Sequence, residues 1–84
     1  MFQWSMESPT YTVHMFGGQF HRVDGPAVIE PHMKQWIQNG LYHRDNGPAI
    51  MNMNTLEVSH WLMGKCIGSG VIVKEVFDYY WSLE

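Results

Sequence analysis

Two dipeptides hold most of the reactive potential of this chain: His21-Arg22 and His43-Arg44. Imidazole titrates near neutral pH and can move protons, and a guanidinium grips phosphate through paired N–H donors. Together His21, Arg22, His43 and Arg44 admit a nucleotide- or nucleic-acid-phosphate site. A structural reading stands beside that one. Each dipeptide lies inside a longer match, Gly18-Gln-Phe-His-Arg-Val-Asp-Gly-Pro-Ala-Val-Ile29 and Gly40-Leu-Tyr-His-Arg-Asp-Asn-Gly-Pro-Ala-Ile-Met51. A residue needed once for catalysis has no reason to recur in every unit, whereas identity repeated with the fold follows the packing of the unit. On this reading each His donates to a turn carbonyl, and each Arg meets Asp24, Asp45 or a neighbouring strand. Alternation along a strand then puts both His on one face and both Arg on the other.

Other chemistry is sparse. His14, His21, His32, His43, His60 and Cys66 could ligate a metal, yet none shows a tight ligand spacing such as Cys-x-x-Cys. No paired-carboxylate, nucleophile-elbow or P-loop pattern occurs, so no catalytic residue, metal or cofactor is expected. Cys66 follows Lys65, which could lower a thiol pKa; a small buried side chain in an apolar strand is the reading preferred here.

The elements that hold these residues follow from period and punctuation. Phe2, Trp4 and Met6 alternate, which suggests a short strand ended by Pro9, and Thr10 to Phe16 read as another. Gly17-Gly18 turns the chain and Gln19 to Arg22 return. Asp24-Gly25-Pro26 reverses it and Ala27 to Glu30 run out. Beyond Pro31-His32, Met33 to Gln38 come back to Asn39-Gly40, the strongest short hairpin signal in the chain. The second copy repeats the steps: Leu41 to Arg44, the reversal at 45–48, Ala49 to Met53, a tip at Asn54-Thr55, and Leu56 to Leu62. Trp36 precedes its Gly by four residues and Trp61 by three, which predicts a bulge or phase change near Met63. A third copy begins at Gly64 and fails where His-Arg should stand. Gly68-Ser69-Gly70 then reads as a hinge. Val73, Val76, Phe77, Tyr80 and Trp81 have helical spacing, and Ser69 is the expected cap; a strand over 71–77 competes, because β-branched residues crowd there.

The tandem His-Arg-x-x-Gly-Pro-Ala units, each followed by a Trp and a Gly turn, resemble the short β-hairpin repeats distantly similar to MORN repeats. The resemblance covers about residues 11–67. It implies a small bacterial or bacteriophage protein whose stacked hairpins form an interaction surface, and phage proteins of this size often inhibit a host protein.

The predicted fold is mainly β: an antiparallel meander of two tandem β-hairpin repeats with a C-terminal α-helix capping the open end of the sheet. One domain spans 1–84, with N-terminal strands over 1–16, two and a partial repeats over 17–67 and the helix over 70–83. The 84 residues hold five Lys and Arg against eight Asp and Glu, a net charge of −3. That disfavours nucleic acid as a partner, since such binders carry a basic excess. One cysteine excludes an internal disulfide and, with no membrane-length apolar run, points to the cytoplasm. Two repeats cannot bury every large aromatic, and seven Met residues add adaptable surface. Trp36, Tyr42, Trp61 and Tyr79, with acidic Glu75 and Asp78, are therefore the expected partner-binding residues. The partner would be a host protein, such as a defence enzyme, blocked by steric occlusion. Two open edge strands would also allow homodimerisation.

Overall fold

The computed structural model describes residues 3–7 and 11–83. Among these residues ten strands precede one helix: β1 (Gln3–Glu7), β2 (Thr12–Phe16), β3 (Gln19–Phe20), β4 (Val28–Glu30), β5 (Met33–Gln35), β6 (Ile37–Gln38), β7 (Leu41–Tyr42), β8 (Ile50–Asn52), β9 (Glu57–Leu62), β10 (Lys65–Val71) and α1 (Lys74–Ser82). The sheet runs β1-β2-β4-β5-β8-β9-β10, β3 pairs with the far end of β2, and β6-β7 form a separate ribbon. Every pairing is antiparallel. The expected meander with a helix after it is what forms. Pro9, Phe2 and Thr10 lie outside the described residues.

Three hairpin turns share one geometry. Gly17-Gly18, Asn39-Gly40 and Met63-Gly64 all have positive φ at both residues, with values of 61 and 80, 53 and 78, and 49 and 83. That is the type I′ signature, whose twist matches that of the strands it joins. The expected return strands are shorter than the pattern suggested, because His-Arg leaves the ladder. His21 N donates to His14 O (3.1 Å), and His14 N donates to Ala27 O (2.7 Å). Trp36 does the same for His43 and Ala49, at 3.0 and 2.7 Å. Each His-Arg loop thus departs from, and returns to, a single residue of the preceding strand. This breaks the expected 33–38 strand at Trp36.

The third unit shows what the loop replaces. There His60 faces Gly68 directly, and the register shifts between Cys66 and Gly68. The loop has shrunk to one bulged residue, Ile67, at the place of the third His. The bulge expected near Met63 is found here instead. The tryptophan offset has a different origin: Arg22 N donates to Ile37 O and Arg44 N to Trp61 O, so Trp61 takes the place of Ile37 rather than of Trp36. Gly68-Ser69-Gly70 is a paired strand segment and no hinge.

The helix starts later than expected. Val71, Ile72 and Val73 are β-branched; Val71 still belongs to β10, and Val73, extended with φ −70 and ψ 150, is the N-cap. Ser69 is held opposite Ser59 and cannot cap; the cap carries no side-chain hydrogen bond. α1 then lies on the sheet face that presents Met51 and Val58. Phe77 is fully buried there with Trp36 and Ala49. Lys34 Nζ donates to Trp81 O at 2.8 Å and sits 4.6 Å from the Trp81 ring centre. A smaller cluster of Ala27, Val28 and Ile37 holds the first unit. α1 therefore covers a face of the second unit. It does not close the end of the sheet, where all seven residues of β10 are exposed. Among the described residues no helix is long and apolar enough to cross a membrane.

Candidate functional site

The His-Arg pairs are brought to equivalent places, and their geometry follows from the loop they begin. Each His reaches forward to the next hairpin. Asn39 N donates to His21 Nδ1 at 2.9 Å, and Met63 N donates to His43 Nδ1 at 3.0 Å. The imidazoles accept from turn N–H groups, where donation to a turn carbonyl was expected. An accepting Nδ1 leaves the ring proton on Nε2. In His43 that nitrogen lies 3.1 Å from Asp45 Oδ1. The bonds matter most at Met63, a residue with a full side chain in left-handed conformation, where such backbone is costly.

Each Arg turns back over its own loop. Arg22 Nε donates to Asp24 Oδ1 (3.0 Å), and Nη1 donates to Pro26 O (3.3 Å) and lies 3.3 Å from His14 Nε2. Arg44 repeats the pattern with Asn46 Oδ1 (3.3 Å) and Pro48 O (3.0 Å). The glycine of Gly-Pro-Ala makes room for this path. A Cβ on Gly25 would stand 2.7 Å from Arg22 Cζ, and one on Gly47 would stand 2.8 Å from Tyr80 Cδ1 and 3.1 Å from Arg44 Cζ. Arg-x-Asx-Gly-Pro is thus a self-closing loop. Asp45, expected to meet an Arg, goes to His43 instead.

Arg44 is engaged on every side. It is 5% exposed. Its Nη1 also donates to Met51 Sδ (3.7 Å), and Nη2 donates to Tyr80 O (2.8 Å) and Leu83 O (2.6 Å). These acceptors occupy all five of its N–H groups. The guanidinium carbon lies 3.8 Å from the Trp36 ring centre. Burial lowers its pKa to about 10, which leaves it charged at neutral pH. A cation there suits the helix C-terminus, whose last carbonyls lack intrahelical donors. Arg22 is less enclosed, with a side chain 18% exposed. Its hydrogen bond and charge hold the Asp24 carboxyl below the ordinary 3.8.

A cleft of about 330 Å3 separates the two loops, lined by Val23, Asp24, Trp36, Gln38, His43 and Asp45 among others. Arg44 borders it but has no N–H left for a phosphate. Among the described residues no three His, Cys, Asp or Glu side chains gather as a metal would need.

The expected partner-binding residues divide. Trp36 is 5% exposed beneath Arg44 and belongs to the core; its expected role as a surface aromatic is corrected. Tyr42 and Trp61 are half-buried against each other, ring centres 5.2 Å apart. Glu75, Asp78 and Tyr79 are exposed together on α1, where Tyr79 rests edge-on against Tyr80 and Asp78 pairs with Lys74 at 2.9 Å. Val76, also exposed, completes that face and was missed, because helical spacing alone had assigned it to the core. Cys66, expected to be buried, is exposed on β10. Tyr80 and Leu83, the residues that complete the Arg44 site, could not be singled out: backbone carbonyls leave no mark in sequence.

Comparisons with protein-family models, with curated proteins and with solved structures return no match to this chain.

Proposed function

We propose that the chain is a non-enzymatic protein-binding module that acts by steric occlusion. Its most specific form is a phage-encoded inhibitor or modulator of a host protein in the host cytoplasm, in keeping with the resemblance to MORN-like hairpin repeats. One observation carries the reading. The side chains best suited to chemistry are engaged within the fold, while the outer face of α1 holds Glu75, Val76, Asp78 and Tyr79 together in solvent, with Tyr79 62% exposed. An aromatic set among acidic groups suits a hot spot facing a basic partner surface. The half-buried Tyr42–Trp61 pair forms a second aromatic feature at the hairpin ribbon.

The test is affinity capture from host lysate with wild type and with a Glu75→Lys, Tyr79→Ser variant, both checked by circular dichroism. The expected result is a host protein held by wild type and lost by the equally folded variant. Equal retention by both, or no host protein retained above a bead control, overturns the reading.

A further inference from the structure

β10 poses a question that packing does not answer. Two of its seven residues are Gly68 and Gly70, and glycine weakens a strand by leaving backbone entropy high and no side chain to pack. Neither has the positive φ that would require glycine. Neither is crowded: a Cβ at either place would meet nothing within 4 Å. Glycines in a strand also mark where another backbone approaches closely. Among the described residues β10 ends the sheet and pairs only with β9, and Lys65 at its start is its one charged side chain.

The order of residues names the occupant. Ile67-Gly68-Ser69-Gly70-Val71 reads nearly the same in both directions: β-branched, Gly, Ser, Gly, β-branched. A closed two-fold interface needs a self-complementary patch, in which residue i meets j and j meets i. We propose that β10 pairs antiparallel with β10 of a second copy about a two-fold axis at Ser69. Ser69 then faces Ser69 of the other copy, each Gly68 faces a Gly70, and each Val71 comes to the end of the other strand where Ile67 bulges from the β9 ladder. The side chains of Ile67 and Val71, 58% and 68% exposed in the single chain, leave water in this arrangement. Lys65 falls outside the palindrome, so no like charges oppose each other. The pairing leaves the acidic face of α1 free and does not depend on the proposed role of that face.

The test combines solution mass with a register-specific cross-link. At roughly 100 µM, where a micromolar dimer is well populated, wild type should sediment as a dimer, twice the 9.8 kDa of the chain. In a Cys66→Ser background, Ser69→Cys places two thiols directly opposite at the axis and should yield a covalent dimer under mild oxidation. Met63→Cys, also exposed but at a hairpin turn, should not. Ser69→Glu opposes two carboxylates and should return the protein to monomer with an unchanged circular dichroism spectrum. A monomeric wild type, equal cross-linking from positions 63 and 69, or a dimer that survives Ser69→Glu overturns the proposal.

Discussion

The two repeats share a loop and differ in what lies over it. In both, an Arg bonds an Asx two residues on and the Pro carbonyl four residues on. The strand residue beneath the guanidinium is His14 in the first unit and Trp36 in the second. The second therefore stacks its cation on a large aromatic face, then uses both Nη2 donors to end α1. The first keeps an exposed Asp24 as its partner, on a core in which no aromatic among the described residues is fully buried. The shared part closes the loop, and the difference makes a helix dock on only one unit.

The largest expected effect comes from removing one Arg at a time. Arg44→Ala leaves the Tyr80, Leu83 and Pro48 carbonyls without this donor and uncovers Trp36. Buried charge-assisted bonds lost in this way cost about 3–5 kcal/mol, enough to consume much of a small domain's stability. Arg22→Ala should cost about 1 kcal/mol, because its site is more open to water, which can replace the lost donors. Denaturant midpoints measure both. Equal losses would mean that the loop, rather than the helix contact, is what Arg44 supports. Loss of helical ellipticity should accompany Arg44→Ala alone.

Much of this was legible in the sequence. The doubled motif and the glycine turns place the hairpins, and the apolar spacing of Phe77, Tyr80 and Trp81 gives the helix its buried side. What periodicity cannot reveal is where a strand is interrupted. The His-Arg segments read as strand, yet they leave the ladder at His14 and Trp36 through backbone bonds that any residue can make. The same blindness turned Gly68-Ser69-Gly70 into a hinge. Its composition is that of a linker, and only its register with Ser59 and Val58 shows a strand. At the candidate site, the pairing of Arg with Asx and Gly-Pro was within reach of a repeat comparison. The burial of Trp36 was not, because it depends on α1 returning from a distant part of the chain.

A smaller effect separates the two loop glycines. At both, a Cβ would fall within 3 Å of a heavy atom. Against Gly25 that atom is the far end of Arg22, a flexible side chain that is 18% exposed and bonds Asp24 and Pro26 of its own loop. Against Gly47 it belongs to Tyr80, and Arg44 behind it is fixed by its acceptors. Gly47→Ala should therefore lower stability by about 1–3 kcal/mol, the usual range for overpacking, and Gly25→Ala by less than about 1 kcal/mol. Thermal melts of the two variants check the order; a larger loss from Gly25→Ala would show that the open loop is the stiffer one.

The smallest effect tests whether the first loop holds together as an ion pair. Asp24 is exposed, and its carboxyl titrates below 3.8 chiefly because Arg22 bonds and faces it. The folded state therefore binds this proton less readily than the unfolded chain does. The stability linked to the pair is present above the unfolded value and is lost as pH falls through the lowered one. Solvent screens an exposed pair, so the loss is better read at the residue than in a global melt. A carbon-detected NMR titration should place the Asp24 midpoint below 3.8 in wild type and move it upward in Arg22→Gln. No movement on that substitution would assign the shift to the loop backbone instead, and would make the Arg-Asx contact incidental in the first repeat while leaving its counterpart at Arg44 untouched.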